Sequence, residues 1–129
     1  ANRLQVPSYI SFTTALSFYE MTTQIQQGFM ESAAVTRTKE TEIETVTFRY
    51  FKLQKKLYFG FVKKEDFFIA APEKALLDAL YLMSLNRYHL DLTALDIGRF
   101  DAKELARMSE KFPLKTRKLL EKYENTRTA

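Results

Sequence analysis

Ala70-Ala71-Pro72-Glu73-Lys74-Ala75-Leu76-Leu77-Asp78-Ala79-Leu80-Tyr81-Leu82-Met83 is the stretch on which the fold turns. Pro72 suits a first helical turn, where its missing N–H would have had no partner anyway. Glu73 follows at the positive end of the helix dipole. From Ala75 to Leu85 only Asp78 and Ser84 are polar, and a helix that is apolar nearly all round is a buried one. The stretch is therefore predicted to be a central core helix, with Glu73, Lys74 and Asp78 as the only charges near it.

Upstream of it the pattern is β. Phe67 to Ala70 reads as a brief strand behind a turn at Lys63-Lys64-Glu65-Asp66. Leu57 to Val62 is predicted as another strand, joined through Gln54-Lys55-Lys56 to a strand over Ile43 to Leu53. In that longer strand Val46, Phe48 and Tyr50 share one face, while Thr47, Arg49 and Phe51 share the other. Met30 to Thr36 supplies the first strand, after a loop over Thr22 to Gly28. Connections this short predict antiparallel neighbours and a sheet of about four strands. Before it, Val6 to Ser11 reads as an extended entry around Pro7. Ser11 or Thr13 then caps a short helix through about Glu20, with Phe12, Ala15, Leu16 and Tyr19 on its apolar face.

Downstream the pattern is helical. Asp91 or Thr93 opens a short turn and Gly98 breaks it. Asp101-Ala102-Lys103-Glu104 fits a capping box, leading into a helix with Leu105, Met108 and Phe112 on one face. Pro113 ends that helix and starts another carrying Leu119, Leu120 and Tyr123, with Glu124 onwards fraying. The predicted class is α+β: an antiparallel sheet of about four strands packed on a central buried helix, with a helical C-terminal tail. At 129 residues the chain reads as a single domain over 1–129, large enough to bury a core.

Composition narrows the chemistry. There is no cysteine, so disulfides and cysteine-ligated metals are out, which fits a reducing compartment. One histidine, His89, leaves no histidine cluster for a metal. Three isolated glycines, Gly28, Gly60 and Gly98, cannot build a phosphate-cradling loop. No apolar run is long enough to span a bilayer, and no signal-peptide profile opens the chain. The chain does not begin with Met and reads as a piece of something longer.

The net charge of +4 is modest, so its distribution matters more than its total. Arg49, Lys52, Lys55, Lys56, Lys63 and Lys64 lie in a stretch with no acidic residue, interleaved with Tyr50, Phe51, Tyr58 and Phe59. Lys115, Arg117 and Lys118, with Lys111 and Lys122 beside them, form a second basic run, whereas Glu40, Glu42 and Glu44 gather elsewhere. Cations that contact phosphate next to aromatics that stack on bases make a nucleic-acid surface. The same composition suits a protein interface rich in arginine and aromatic residues, or a solvated hairpin whose lysines discourage edge pairing. Glu73, Lys74 and Asp78 form the most enzyme-like group. They suit Mg²⁺ beside a phosphodiester, or simply a dipole-favoured Glu73 with an i,i+4 ion pair between Lys74 and Asp78.

Three pieces of sequence occur in a particular order. Pro7-Ser8-Tyr9-Ile10-Ser11 leads into Ala15-Leu16-Ser17-Phe18-Tyr19. Val35-Thr36-Arg37 is followed by Phe48-Arg49-Tyr50 and Tyr58-Phe59-Gly60. Ile69-Ala70 then precedes Pro72-Glu73-Lys74-Ala75-Leu76-Leu77-Asp78, with Ala71 as an extra residue between. The set spans roughly residues 7 to 85 and resembles the C-terminal antitoxin domain of the AbiEi family. Members of that family are the antitoxins of type IV toxin–antitoxin (abortive-infection, phage-defence) systems, also described as transcriptional regulators.

The resemblance implies a bacterial, cytoplasmic, non-enzymatic domain without metal or cofactor. It implies action against a nucleotidyltransferase-like toxin, by contact or by function, and help in transcriptional autorepression. In the family this domain follows an N-terminal winged helix-turn-helix that binds promoter DNA. None precedes Pro7, so promoter reading is expected to belong to a segment outside this chain. A homodimer is compatible with the resemblance, and a membrane partner is not expected. The macromolecule-binding residues expected are Arg49, Lys52, Lys55, Lys56, Lys63, Lys64, Lys115, Arg117 and Lys118. A basic nucleic-acid-binding domain is the alternative function, and a metal-dependent nuclease the third.

Overall fold

The computed structural model describes residues 8–22, 28–64 and 66–128, the side chains of 126–128 excepted. The elements in chain order are β1 (Ser8–Ile10), α1 (Phe12–Phe18), β2 (Phe29–Ala34), β3 (Lys39–Ile43), β4 (Val46–Lys52), β5 (Phe61–Lys64), β6 (Phe67–Ala70), α2 (Pro72–Ser84), α3 (Ala102–Ser109) and α4 (Leu114–Thr128). Short 3-10 turns occupy Lys55–Leu57, Leu92–Ala94 and Ile97–Arg99. The expected extension at Val6-Pro7, the loop at 23–27 and Glu65 of the turn lie outside the described residues.

The sheet is larger than expected and mixed. Its six strands run in the order β3-β4-β2-β1-β6-β5. At its centre β1 and β2 pair antiparallel, Tyr9 opposite Ala33. A hairpin flanks each side of this pair, β3–β4 on one and β5–β6 on the other. In each hairpin the second strand lies inside and pairs parallel: β4 with β2 over six residue pairs, and β6 with β1 through Ile10 and Ile69.

Two expectations are corrected by this topology. The stretch from Ile43 to Leu53 does not begin as one strand. Glu44 turns the chain at φ +57°, separating β4 from a hydrophilic edge strand, Lys39–Ile43. The Gln54-Lys55-Lys56 connection does not close a hairpin either. Leu57 is fully buried there, and the chain crosses from β4 to the far edge of the sheet, where β5 begins only at Phe61. By contrast, β6 and α2 start and end close to where the pattern placed them.

Alternation along the paired strands puts Tyr9, Glu31, Arg49, Phe51 and Phe61 on one face. On that face Tyr9 is stacked on Phe61 with ring centroids 4.6 Å apart and meets Tyr58 edge-on at 5.3 Å. Here α2 packs against β6 and is enclosed by α1, α3 and α4. Ten consecutive residues, Glu73 to Leu82, are buried, so the helix has no solvent face over that length. Beyond its last residue, Ser84, Asn86 takes a φ of +59°, which lets Arg87 N–H bond to Leu82 C=O and Asn86 N–H to Met83 C=O. That is a Schellman motif with asparagine in the left-handed position.

Behind α2, the first half of the capping box forms: Asp101 accepts from Lys103 N at 3.0 Å and Glu104 N at 3.3 Å. The return bond comes from another helix, because Asp101 N–H donates to Glu73 Oε2 at 2.9 Å while Glu104 pairs with Arg107. The last helix runs on to Thr128, past the expected fraying point at Glu124.

Candidate macromolecule-binding surface

The charges of α2 do not form a site open to a substrate. Lys74 and Asp78 are both 0 % exposed. Lys74 Nζ donates to Asp78 Oδ1 at 2.5 Å and to the Tyr9 hydroxyl at 2.6 Å. Asp78 Oδ2 accepts from the hydroxyls of Tyr9 and Ser11, each at 2.7 Å. The remaining side of the ammonium faces the rings of Phe59 at 4.8 Å and Phe112 at 5.4 Å. Burial lowers the Lys74 pKa and raises that of Asp78, and in each case the partner's opposite charge opposes the shift. Burial, and then the Asp78 charge, push Tyr9 well above its usual value. A pair this deep holds together because both carboxylate oxygens and the ammonium have hydrogen-bond partners inside the fold.

Local sequence makes room for the network. Gly60 has φ +77°, and a Cβ there would stand 2.8 Å from Lys74 Cγ. The lysine stem therefore lies against bare backbone. Ser11 occupies the cap position of α1, yet its hydroxyl turns to Asp78 instead of capping the helix. Glu73 points away to Asp101, so the two carboxylates have different partners. Among the described residues no group of acidic or histidine side chains is placed to hold a metal ion, and Glu73, bonded to Asp101, shares no site with Lys74 and Asp78.

The basic residues lie on the outside, but apart from one another. Arg49 and Lys52 are on β4, Lys55 and Lys56 in the crossover turn, Lys63 and Lys64 on β5 at the opposite edge. Four strand spacings separate β4 from β5, or about 19 Å at the usual interstrand distance. Lys115, Arg117 and Lys118 are exposed on α4. The structure thus distributes them over three regions: one sheet edge, the β4 side with its crossover, and the last helix. Arg49 is the least free of them. Its Nε meets Glu40 Oε2 at 2.7 Å across the β3–β4 hairpin, and its guanidinium rests 4.3 Å from the centre of the Phe29 ring. The acidic run, Glu40 and Glu42 on β3 with Glu44 in the turn after it, thus borders the Arg49 side of the sheet.

A concave feature lies beside Arg49 that sequence reasoning missed. A cleft of about 590 Å³ opens between this half of the sheet and the chain leaving α2, bounded by Glu31, Arg49, Phe51, Arg87, Tyr88 and His89 among others. Glu31 is 1 % exposed and accepts from the Tyr88 hydroxyl at 2.6 Å and from Thr13 N at 3.2 Å. Burial and the adjoining Glu31 charge push the Tyr88 pKa far up. Glu31 sits in a strand and Tyr88 follows a helix end, 57 positions away, so no local pattern connects them.

No protein-family model, curated protein or solved structure matches this chain. Among the described residues no helix is long and apolar enough to cross a membrane.

Proposed function

We propose that this chain is the interaction domain of an AbiEi-type antitoxin, counteracting a nucleotidyltransferase-like toxin through its basic outer surfaces and assisting autorepression without performing chemistry of its own. The observation that carries the reading is the contrast between inside and outside. The acid–base groups of the central helix are sealed with Tyr9 and Ser11 and serve the fold. Lys55, Lys56, Lys63, Lys64, Lys115, Arg117 and Lys118 all stand in solvent, ready for another macromolecule. The ordered sequence pieces from Pro7 to Asp78 supply the family, and with it the kind of partner.

Growth rescue tests it. Co-expression with a cognate nucleotidyltransferase-like toxin is expected to restore growth, and alanine at Arg49, Lys55 and Lys56 together is expected to weaken the rescue. A wild-type chain that leaves the toxin fully active overturns the proposal. The alternative of a basic nucleic-acid-binding domain rests on the same exposed lysines. Binding to non-specific duplex DNA at several salt concentrations separates the two. Each phosphate contact steepens the log–log slope by about 0.9, so a steep slope favours the nucleic-acid reading, and negligible binding favours the antitoxin one.

A further inference from the structure

We infer that the cleft between β4 and the chain leaving α2 is a binding site for a nucleoside phosphate. At about 590 Å³ it falls within the roughly 300–1,000 Å³ typical of small-molecule sites. Two half-buried rings make its apolar corner. Phe51 and Tyr88 meet at 89° with centroids 5.4 Å apart, offering a flat face on which a planar base stacks.

The corner is built and held. Phe12, fully buried, backs both rings at 5.1 and 5.3 Å. It reaches them from a left-handed backbone, φ +58°, a conformation that costs a non-glycine residue energy and is found preferentially at functional sites. The Tyr88 hydroxyl is tied to Glu31 at 2.6 Å and lies 2.7 Å from Thr13 Oγ1, which fixes its ring.

Charge at the rim selects the other half of the ligand. The side chain of Arg87 is exposed and makes no hydrogen bond or ion pair among the described residues. It stands next to the stacking ring, where its guanidinium fork suits a phosphate. Both carboxylates of the cleft have cationic or donor partners: Glu40 pairs with Arg49, and Glu31 holds Tyr88 and Thr13. A planar ring and an anion are the two halves of a nucleotide, and the same cleft offers a partner to each. A free nucleotide and the terminal nucleotide of a single strand share that chemistry, and the hexanucleotide arm of the test separates them.

The inference is separable from the antitoxin reading, since toxin rescue and nucleotide binding are read in different experiments. Saturation-transfer NMR on the whole chain, titrated with AMP, GMP, CMP and UMP, with inorganic phosphate and with a hexanucleotide, tests it. At least one mononucleotide is expected to bind with a Kd below about 1 mM. Arg87→Ala, which removes no contact of the fold, is expected to weaken that binding by about tenfold, through loss of the charge-assisted bonds. Phe51→Leu is expected to weaken the nucleotide and leave inorganic phosphate unchanged. No mononucleotide binding up to roughly 10 mM, equal binding by Arg87→Ala, or phosphate alone binding as tightly as the nucleotides would overturn the site. A hexanucleotide that binds far more tightly than all four monomers would overturn the free nucleotide as its ligand.

Discussion

Lys74 shows how much a single side chain can demand of its surroundings. A buried ammonium is tolerated here because Asp78, the Tyr9 hydroxyl and the rings of Phe59 and Phe112 replace its water. Taking away one partner strands the other, so Lys74→Met is expected to destabilise the chain by roughly 3–5 kcal/mol, and the Lys74→Met/Asp78→Leu double variant by clearly less. Urea unfolding of the two single variants, the double variant and wild type measures this; additive losses would mean that the pair is not coupled. Gly60→Ala is expected to cost more than the roughly 1–2 kcal/mol of a left-handed alanine, because its Cβ also collides with the Lys74 stem. The buried tyrosines set a pH limit. Tyr9 and Tyr88 retain their protons in the fold beyond the usual value of 10.0, whereas the unfolded chain releases them near pH 10. Above that pH the native state binds more protons than the unfolded state, so stability falls as pH rises. Below it neither tyrosine contributes a slope. Denaturation midpoints are expected to drop above about pH 10, and Tyr88→Phe to drop less steeply; an equal slope in the variant would count against the Glu31–Tyr88 contact.

At the scale of elements, α2 organises its neighbours by what it lends them. Glu73 closes the N-terminus of α3 from outside, a role that the spacing within Asp101–Glu104 assigns to Glu104. Glu73→Ala leaves the Asp101 N–H without its partner, at an expected cost of roughly 1–3 kcal/mol. Asp101→Ala removes a cap worth about 1 kcal/mol. Hydrogen exchange is expected to accelerate at Asp101 in Glu73→Ala and at Lys103 and Glu104 in Asp101→Ala, and unchanged protection would refute the shared cap. The helix itself was legible because its pattern is local: proline at the start, then a run with two polar residues. The Phe67–Ala70 strand was legible for the same reason, as four residues bounded by a charged turn and Pro72. The Lys39–Ile43 strand was not. Its Lys-Glu-Thr-Glu-Ile composition reads as a polar connection, and only pairing with Val46–Lys52 makes it a strand. An edge strand meets solvent along one side and needs little apolar content. The network of Lys74 escaped as well, since i,i+4 spacing suggests a pair and says nothing of its depth.

Across the whole molecule, two hairpins clasp a central antiparallel pair, and the basic residues follow that plan. Basic residues close in sequence, Arg49 and Lys52 on β4 and Lys63 and Lys64 on β5, end four strand spacings apart, with Lys55 and Lys56 on the crossover between those strands. Surfaces about 19 Å apart should act independently. Losses in toxin rescue from an Arg49→Ala/Lys52→Ala set on β4 and from a Lys63→Ala/Lys64→Ala set on β5 are therefore expected to add in the combined variant. Strong non-additivity would mean that one partner spans both. The cleft is likewise a product of assembly, made from a strand, a helix start and a helix end that no spacing rule connects. By itself, the sequence determined the buried helix, the α+β class, the basic balance and the lack of cysteine chemistry. These follow from composition and from periodicities that a short window contains. Tertiary structure alone decided the strand order, the parallel pairings, the separation of the basic residues and the sealing of Lys74 with Asp78. Each of these depends on which distant segments meet, and that is set by long-range burial, whose signal no short window carries.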